Sequence, residues 1–354
     1  MHLRLLTVHM ALNDVLDQAY ERLHTTGPEF EGWLSNHGPM AADALIRLGR
    51  ADQVDRWVQE YSRRLEEEPR PRWAILDAEW REPLGDPSRL ADWCALFGHQ
   101  VHQEPWQDLL ARWWPRLLPG AIASATHGLI RTGHAVRALC EHESSQRLDE
   151  LAQALGYWAA RWQPLPGQRP PAGVAEVGAA LDGVPPVGAA GGARTRLAEL
   201  ALLPAWAPAV RSLRPVSQPA AVPAALDELV DAAVTRYQHW AHGNPIMLVH
   251  AATAPRAAAL VLPALPKHMW LATYNTAWAV SAAISAIYRP STPPPPPSDI
   301  ERAGVSVEEL TDLAVSTRDE HVIKFVEVAQ ESHRHGNAHA LTAAARAAAL
   351  IPGD

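Results

Sequence analysis

Cysteine is scarce in this chain, with only two copies among 354 residues, and Cys94 and Cys140 lie too far apart to form a CxxC motif. This scarcity argues against a disulfide framework and against a thiolate zinc site, and it fits the reducing cytoplasm. Runs of lysine and arginine are also missing, and the formal net charge is −8. Because gripping a phosphate backbone needs clustered cations, we expect no nucleic-acid partner.

Long apolar runs are missing too. No uninterrupted stretch reaches the roughly 18 apolar residues that a membrane-crossing helix needs. The start, MHLRLLTVHMALNDVLDQAY, turns amphipathic and acidic too early for a signal peptide. We therefore expect a soluble, unprocessed protein with no membrane partner. No GxGxxG fingerprint occurs either, so a built-in nicotinamide or flavin domain is not expected.

Strand signals are nearly absent, since alternating Val, Ile and Thr bounded by turn residues do not occur. Helical periodicity is common instead, beginning with leucines at helical spacing in residues 9–24. Residues 104–118, 121–140 and 145–162 read as further helices. The sequence predicts an all-α fold, with residues 1–354 forming a single large multi-helix domain.

Proline and glycine concentrate in two places. Residues 163–224 are rich in Pro, Gly and Ala and carry at most short helices, which predicts a surface excursion, an insertion or a linker. Residues 290–299 form a Pro-rich loop that we expect to be extended, close to polyproline II. Helix starts are also marked: Asn244 can cap a helix whose first residue is Pro245, and Ser306 can open another with a capping box.

Two residue types are in excess: fourteen tryptophans against three phenylalanines, and seventeen histidines. Indole suits a flat, partly polar ligand, although most tryptophans of an Ala-rich helical protein are expected to serve as ordinary packing. Some histidines stand at helix starts or on otherwise apolar helices, and these are the candidates for a site: His37, His127, His250 and His321.

The segment HVIKFVE places His321 and Lys324 on one face of an apolar helix, because residues three apart lie on the same side. One interpretation is that both groups take part in a site. The alternative is that the lysine extends to solvent or pairs with Glu320 or Glu327. Both interpretations remain open on spacing alone.

Distance limits which histidines can share one ion. His127 and His134 are seven residues apart, so their Cα atoms lie roughly 10 Å apart along a helix and cannot easily bind together. His335 and His339 would lie still farther from His321, if the helix continues through Gly336. A metal centre would therefore draw about one residue from each of several helices, as helical bundles usually do.

Four blocks of sequence, SNHGPMAADALIRLG, ATHGLIRTGHAVRAL, VHAATAPRAAALVLPAL and DEHVIKFVEVA, resemble in this order the questin oxidase family. The likeness runs from about Asp14 to Ala345 and is weakest across the Pro/Gly/Ala-rich middle. The resemblance implies an all-helical fold and a mononuclear non-haem iron held by four histidines and a lysine carboxylated on its side-chain nitrogen. Transferred to this chain, the implied ligands are His37, His127, His250, His321 and Lys324. His242 and His268 are the neighbours that could replace His250.

The same resemblance implies an oxidoreductase of aromatic polyketide metabolism. Such an enzyme would use Fe(II) and dioxygen, with an external reductant such as NADPH, on a polycyclic aromatic or quinone ring. Both a dioxygenase and a Baeyer–Villiger-type outcome stay open. Proximity to the ligand segments suggests catalytic roles for His134, Tyr274 and Asn275 and substrate contacts for Trp33 and Trp278.

Two other functions stay open from the sequence. A helical protein of this kind can bind a hydrophobic aromatic intermediate without turning it over. A zinc hydrolase can use the same histidines to activate water, although hydrolytic zinc generally keeps three protein ligands and one open position.

Overall fold

A computed structural model describes residues 2–188, 190–298, 301, 304–351 and 353, with side chains from Met10 onward. The α-helices, in chain order, are α1 (His2–Leu23), α2 (Gly38–Arg47), α3 (Ala51–Tyr61), α4 (Leu90–Gln100), α5 (Trp106–Leu117), α6 (His127–Glu141), α7 (Ser145–Arg161), α8 (Val177–Asp182), α9 (Ala193–Leu202), α10 (Trp206–Arg211), α11 (Val222–Trp240), α12 (Pro245–Leu248), α13 (His250–Val261), α14 (Trp270–Tyr288), α15 (Val307–Thr317), α16 (Glu320–Arg334) and α17 (Ala340–Leu350). Two short antiparallel strands, β1 (Glu29–Phe30) and β2 (Leu34–Ser35), form a hairpin. The prediction of an all-α fold is confirmed.

The centre of the fold is built on α6 and α13, which pack against each other. Helix α6 also packs on α2 and α7, and α13 packs on α11, α14 and α16. One hydrophobic core runs through all of these contacts. Because α2, α6, α13 and α16 all meet there, their first turns can be brought to a common point.

Most of the tryptophans lie in this core, as expected. Trp93, Trp113, Trp114, Trp158, Trp206 and Trp278 are among the largest fully buried side chains. Buried indoles find partners for their N–H groups: Trp114 donates to the Thr273 hydroxyl at 2.8 Å and Trp158 to the Gly120 carbonyl at 3.2 Å. Trp33 and Trp73 are the exceptions, 62% and 70% exposed.

Helix capping follows the sequence signals. The Asn244 side chain accepts the Met247 N–H at 3.0 Å, and Pro245 takes the first helical position. Ser306 and Glu309 form a reciprocal capping box at the start of α15. These two predictions are confirmed, since short polar side chains satisfy the free N–H groups of a first turn.

The predicted helix over residues 121–140 is wrong at its start. Helix α6 begins at His127, and residues 123–126 form a tight turn with positive φ angles of 45° at Ser124, 54° at Ala125 and 71° at Thr126. An α-helix cannot pass through three left-handed residues. Each costs a non-glycine residue roughly 1–2 kcal/mol. Residues 123–126 include neither Gly nor Asn, the residues that usually signal such a turn, so the sequence does not predict it.

Residues 163–224 are part of the folded body. They carry the short helices α8, α9 and α10, and their apolar side chains join the common core, with Leu181, Leu200 and Val210 fully buried. The short helices were predicted, but the linker interpretation is wrong because the segment packs against the core. Residues 290–298 carry no helix or strand, as predicted for the Pro-rich loop, and residue 299 lies outside the described residues.

One helical stretch, Pro245–Ala264, is long and apolar enough to cross a membrane by length and composition. It combines α12 and α13, and 67% of it is buried inside the protein. Burial of this kind is typical of the central helix of a folded domain, so the stretch is weak evidence for a membrane span.

Candidate metal centre

Four histidines from four different helices meet in the interior. His37 is the residue before α2, His127 and His250 are the first residues of α6 and α13, and His321 is the second residue of α16. All four are buried, with at most 9% exposed. The group His37, His127, His250 and His321, together with Lys324, is called the histidine cluster below. The prediction that about one residue comes from each of several helices fits this arrangement.

The ring nitrogens of the histidine cluster approach one another closely. His127 Nε2 lies 2.7 Å from His37 Nε2 and 3.0 Å from His250 Nε2. The His321 ring stands 4.8 Å from the His37 ring, centre to centre. One ring nitrogen from each of His37, His127 and His321 falls within 4.8 Å of the others, a group that can hold a metal ion.

Backbone carbonyls set the tautomers of two of these rings. His127 Nδ1 lies 2.5 Å from the Ser124 carbonyl, and His250 Nδ1 lies 3.1 Å from the Met247 carbonyl. A carbonyl can only accept, so each Nδ1 carries the proton and donates it. The Nε2 atoms of both neutral rings therefore present lone pairs to each other across 3.0 Å.

Facing lone pairs need a cation between them. Two nitrogens bound to one metal at about 2.1 Å and a right angle stand about 3.0 Å apart. The Nε2 separations of 2.7 and 3.0 Å in the histidine cluster fit neighbouring ligand positions of one ion. The left-handed turn at residues 124–126 contributes to this geometry, because it directs the Ser124 carbonyl onto His127.

The outer nitrogens of the other two rings are buried without a hydrogen-bond partner: His37 Nδ1 and His321 Nδ1. A carboxylate stands at the limit of hydrogen-bond range of His321 Nδ1, and another stands just beyond the range of His37 Nδ1. Glu320 Oε1 is 3.7 Å from His37 Nδ1, and Asp319 Oδ1 is 3.5 Å from His321 Nδ1. Such carboxylates typically accept the outer N–H of a metal-bound imidazole and fix the ring's orientation.

Lys324 lies inside the protein, with 1% of its surface exposed. The interpretation that it extends to solvent is therefore wrong. Glu320 bonds Arg64, Glu327 bonds Arg137, and among the described residues the lysine ammonium has no ion pair. Burial lowers the pKa of Lys324 to about 8, although Glu320 and Asp319 pull it upward.

Three of the imidazoles, those of His37, His127 and His250, are poised to be neutral. Burial lowers the pKa of His37, His127 and His250 well below the usual value, and the positive Lys324 and the neighbouring rings push the same way. The four helix N-termini that meet here also carry partial positive charge, which disfavours imidazolium. Neutral imidazoles have the free lone pairs that a metal requires.

His134, predicted to be catalytic, belongs to a different cluster two turns along α6. Its Nδ1 lies 2.8 Å from Asp43 Oδ2. Arg137 bonds the same carboxylate at 2.5 Å and reaches Glu327 at 2.7 Å. The set Asp43, His134, Arg137 and Glu327 is called the Asp43 network below. Glu327, which the sequence offered as a partner for Lys324, bonds Arg137 in this network instead.

The other predicted contact residues do not join the histidine cluster in the described part of the chain, where no hydrogen bond or ring contact links them to its imidazoles. Tyr274 is buried on α14, and burial raises its pKa to about 12. Asn275 is half-buried. Trp278 donates to the Val210 carbonyl at 2.8 Å as a core residue, and Trp33 points to solvent.

The two alternatives to His250 are also placed. His242 Nε2 lies 3.0 Å from the Thr292 carbonyl, and His268 is exposed on the surface before α14. Among the described residues, His250 has a ring nitrogen within hydrogen-bond distance of His127, and His242 and His268 do not. The choice of His250, implied by the resemblance, agrees with the geometry.

Comparison with protein-family models and with curated proteins finds no match for this chain. The site is therefore argued from its own atoms. Sequence reasoning missed two residues that hold the site from outside: Tyr61, whose hydroxyl accepts the His37 N–H at 2.6 Å, and Arg64, which bonds Glu320 at 2.5 Å. Arg64 and Glu320 are 256 positions apart, so no local pattern could have paired them.

Proposed function

We propose that this protein is a non-haem iron(II) oxygenase acting on the ring of a polycyclic aromatic polyketide or quinone. The observation that carries the metal site is the convergence of buried, neutral imidazole lone pairs at 2.7 and 3.0 Å. Imidazole suits iron, and also zinc, copper and nickel. The choice of iron and of an aromatic substrate rests on the resemblance to the questin oxidase family.

The residues that would hold the ion are the four histidines and Lys324. A divalent ion among uncharged imidazole ligands and four helix N-termini calls for a negative ligand, and the pKa values of His37, His127 and His250 are lowered as such ligands require. A lysine with a pKa near 8 is partly neutral at physiological pH, and its amine nitrogen can add to carbon dioxide with loss of one proton. The resulting carbamate would place an anionic oxygen on a long arm beside the imidazoles.

The chemistry divides between the metal and the chain. Bound iron(II) would supply the electrons that make dioxygen reactive. The Ser124 and Met247 carbonyls hold the Nδ1 protons of His127 and His250, so that each Nε2 faces inward. Asp319 and Glu320 stand where they can accept the Nδ1 protons of His321 and His37. Burial of all these groups keeps bulk water from the reacting centre.

The first experiment is elemental analysis of untagged protein purified without added metal. About one iron per chain is expected, together with oxygen uptake when an anthraquinone is supplied. Replacement of His127 by Gln should abolish both, because it removes the central nitrogen at similar volume. His268→Ala, on the exposed alternative ligand candidate, serves as the matched control and should retain both.

Two other outcomes would point to another function. Failure to bind iron(II) added anaerobically would remove the metal centre and favour a binding protein for a hydrophobic aromatic compound. One zinc per chain with hydrolysis in the absence of oxygen would favour a hydrolase. Four histidines and a fifth ligand leave less room for an activated water than hydrolytic zinc usually has.

A further inference from the structure

A surface cleft of about 230 Å³ opens at the junction of α3 with the start of α16. It is lined by Trp57, Glu60, Tyr61, Arg63, Arg64 and Arg318. Because Arg64 is already bonded to Glu320, the remaining guanidinium groups of Arg63 and Arg318 face the one carboxylate of Glu60, although the chain as a whole has a net charge of −8. The lining of the cleft is positively charged whereas the chain as a whole is negative, as expected for a surface that selects an anion.

Glu60, the acidic residue of the cleft, is already engaged. Glu60 Oε1 lies 3.2 Å from Nε of Arg56, which is outside the cleft, and Glu60 Oε2 lies 3.3 Å from Nη1 of Arg318, which is on the rim of the cleft. Arg63 is exposed and, among the described residues, forms no ion pair. The Arg318 carbonyl accepts the Trp57 N–H at 2.9 Å, which holds the Arg318 backbone in place at the edge of the cleft. Positive charge therefore remains available to a ligand.

The cleft is one layer of side chains away from the histidine cluster. Tyr61, in its floor, accepts the backbone N–H of His37. Arg64, in its inner wall, bonds Glu320 Oε2, while Glu320 Oε1 faces His37 Nδ1 at 3.7 Å. Arg318 lies immediately before Asp319, the N-cap of α16. A ligand held in the cleft would therefore be separated from the proposed metal ion by that one layer of side chains.

We propose that the cleft binds the acid group of an aromatic carboxylate, so that the preferred substrates of the proposed oxygenase carry a carboxylate on one ring. Guanidinium forks match the two oxygens of a carboxylate and stack on aromatic rings. A cavity of about 150 Å³ can hold benzene, so this cleft accommodates the one ring that bears the acid. Tyr61, Arg64 and Glu320 form the single layer of side chains between that ring and the histidines. The identification of the bound acid as a substrate rests on the proposed function, whereas the binding of the acid to the cleft does not.

The test is calorimetric titration of metal-free protein with anthraquinone-2-carboxylate. Arg63→Gln and Arg318→Gln should each weaken binding about tenfold, because each removes a charged hydrogen bond to the carboxylate. The matched control is Arg56→Gln, which lies on the same helix and pairs with Glu60 but does not line the cleft. It should bind the probe as the unchanged protein does.

Three results would overturn the inference: equal affinity for the neutral anthraquinone-2-carboxamide, unchanged binding in both cleft variants, or displacement of the probe by equimolar inorganic phosphate. The last would show an anion site without preference for an aromatic acid. Because the titration needs no metal, the cleft proposal can fail or succeed independently of the proposed oxygenase function. Iron binding and oxygen uptake without probe binding would remove only the cleft proposal, and probe binding without metal binding would remove only the oxygenase.

Discussion

Helices α2, α6 and α16 each contribute to two buried polar clusters, and the two are built in opposite ways. In the Asp43 network, the positive Arg137 lies between two carboxylates at 2.5 and 2.7 Å. In the histidine cluster, bases face bases, and two ring nitrogens have no partner among the described residues. The polar groups of the Asp43 network pair with one another, whereas the nitrogen lone pairs of the histidine cluster need a bound cation.

The pKa shifts record the same difference. Burial alone would raise the pKa of Asp43, but Arg137 and His134 hold it well below its usual range. His37, His127 and Lys324 have no comparable partners, and burial lowers their pKa values. Because buried polar groups are nearly always paired, a cluster of unpaired bases indicates a site for a ligand rather than a support for the fold.

The largest expected effect comes from breaking the Asp43 network. Arg137→Met leaves Glu327 buried without its ion-pair partner and leaves Asp43 with only Arg47 and His134, and removing one partner of a buried pair typically costs about 3–5 kcal/mol. We expect a loss of that size in the free energy of unfolding measured with urea. Arg47→Met, on a half-buried arginine that also bonds Asp43, is the control and should cost less. Equal, small effects in both variants would contradict the distinction between the clusters.

Lys324→Met should instead increase the free energy of unfolding, when measured on metal-free protein in carbon dioxide-free buffer. The pKa of Lys324 is about 8 when folded and 10.5 when unfolded, so burying the charged lysine costs about 3 kcal/mol below pH 8. Between pH 8 and 10.5 the unfolded chain binds more protons, and this cost disappears as pH rises.

The Met variant should therefore unfold at higher urea than the unchanged protein at pH 7, and its advantage should shrink as the pH rises from 8 toward 10.5. Lys267→Met, on the exposed lysine before α14, controls for general effects of lost charge. A destabilised Met variant at pH 7 would mean that Lys324 has a structural partner and would erase the contrast with Arg137.

A smaller effect is expected from the outer shell of the histidine cluster. Glu320→Gln keeps the size of the side chain but removes the charge that faces His37 Nδ1 and His321 Nδ1. Loss of such an outer partner typically weakens metal affinity 10–100-fold. Anaerobic iron(II) titration measures it, and Glu308→Gln on exposed α15 is the control. Unchanged affinity would exclude Glu320 from the site.

The smallest effect concerns the strained turn before His127. Ala125 has a φ of 54°, so Ala125→Gly should relieve about 1 kcal/mol of strain and raise the melting temperature of a chain of this length by roughly one degree. Ala123→Gly, at a residue with ordinary φ two positions earlier, should instead lower it. The reverse order would show that the turn is not strained.

The sequence predicted the helices and their caps well, because periodicity and capping are local. Ser306 and Asn244 show this, since each cap uses a residue three positions away. The turn at residues 124–126 was missed because tertiary contacts, not a glycine, hold it. No spacing could select the four histidines, since each comes from a different helix, and only the resemblance brought them together.

X-ray absorption spectroscopy of anaerobically loaded protein would show whether the histidine cluster holds one iron ion. We expect one iron per chain, surrounded by nitrogen and oxygen at about 2.1 Å, with the scattering pattern of four imidazoles. The pattern should disappear in His127→Gln and persist in His268→Ala. Iron surrounded mainly by water oxygens, or an unchanged spectrum in His127→Gln, would contradict the assignment.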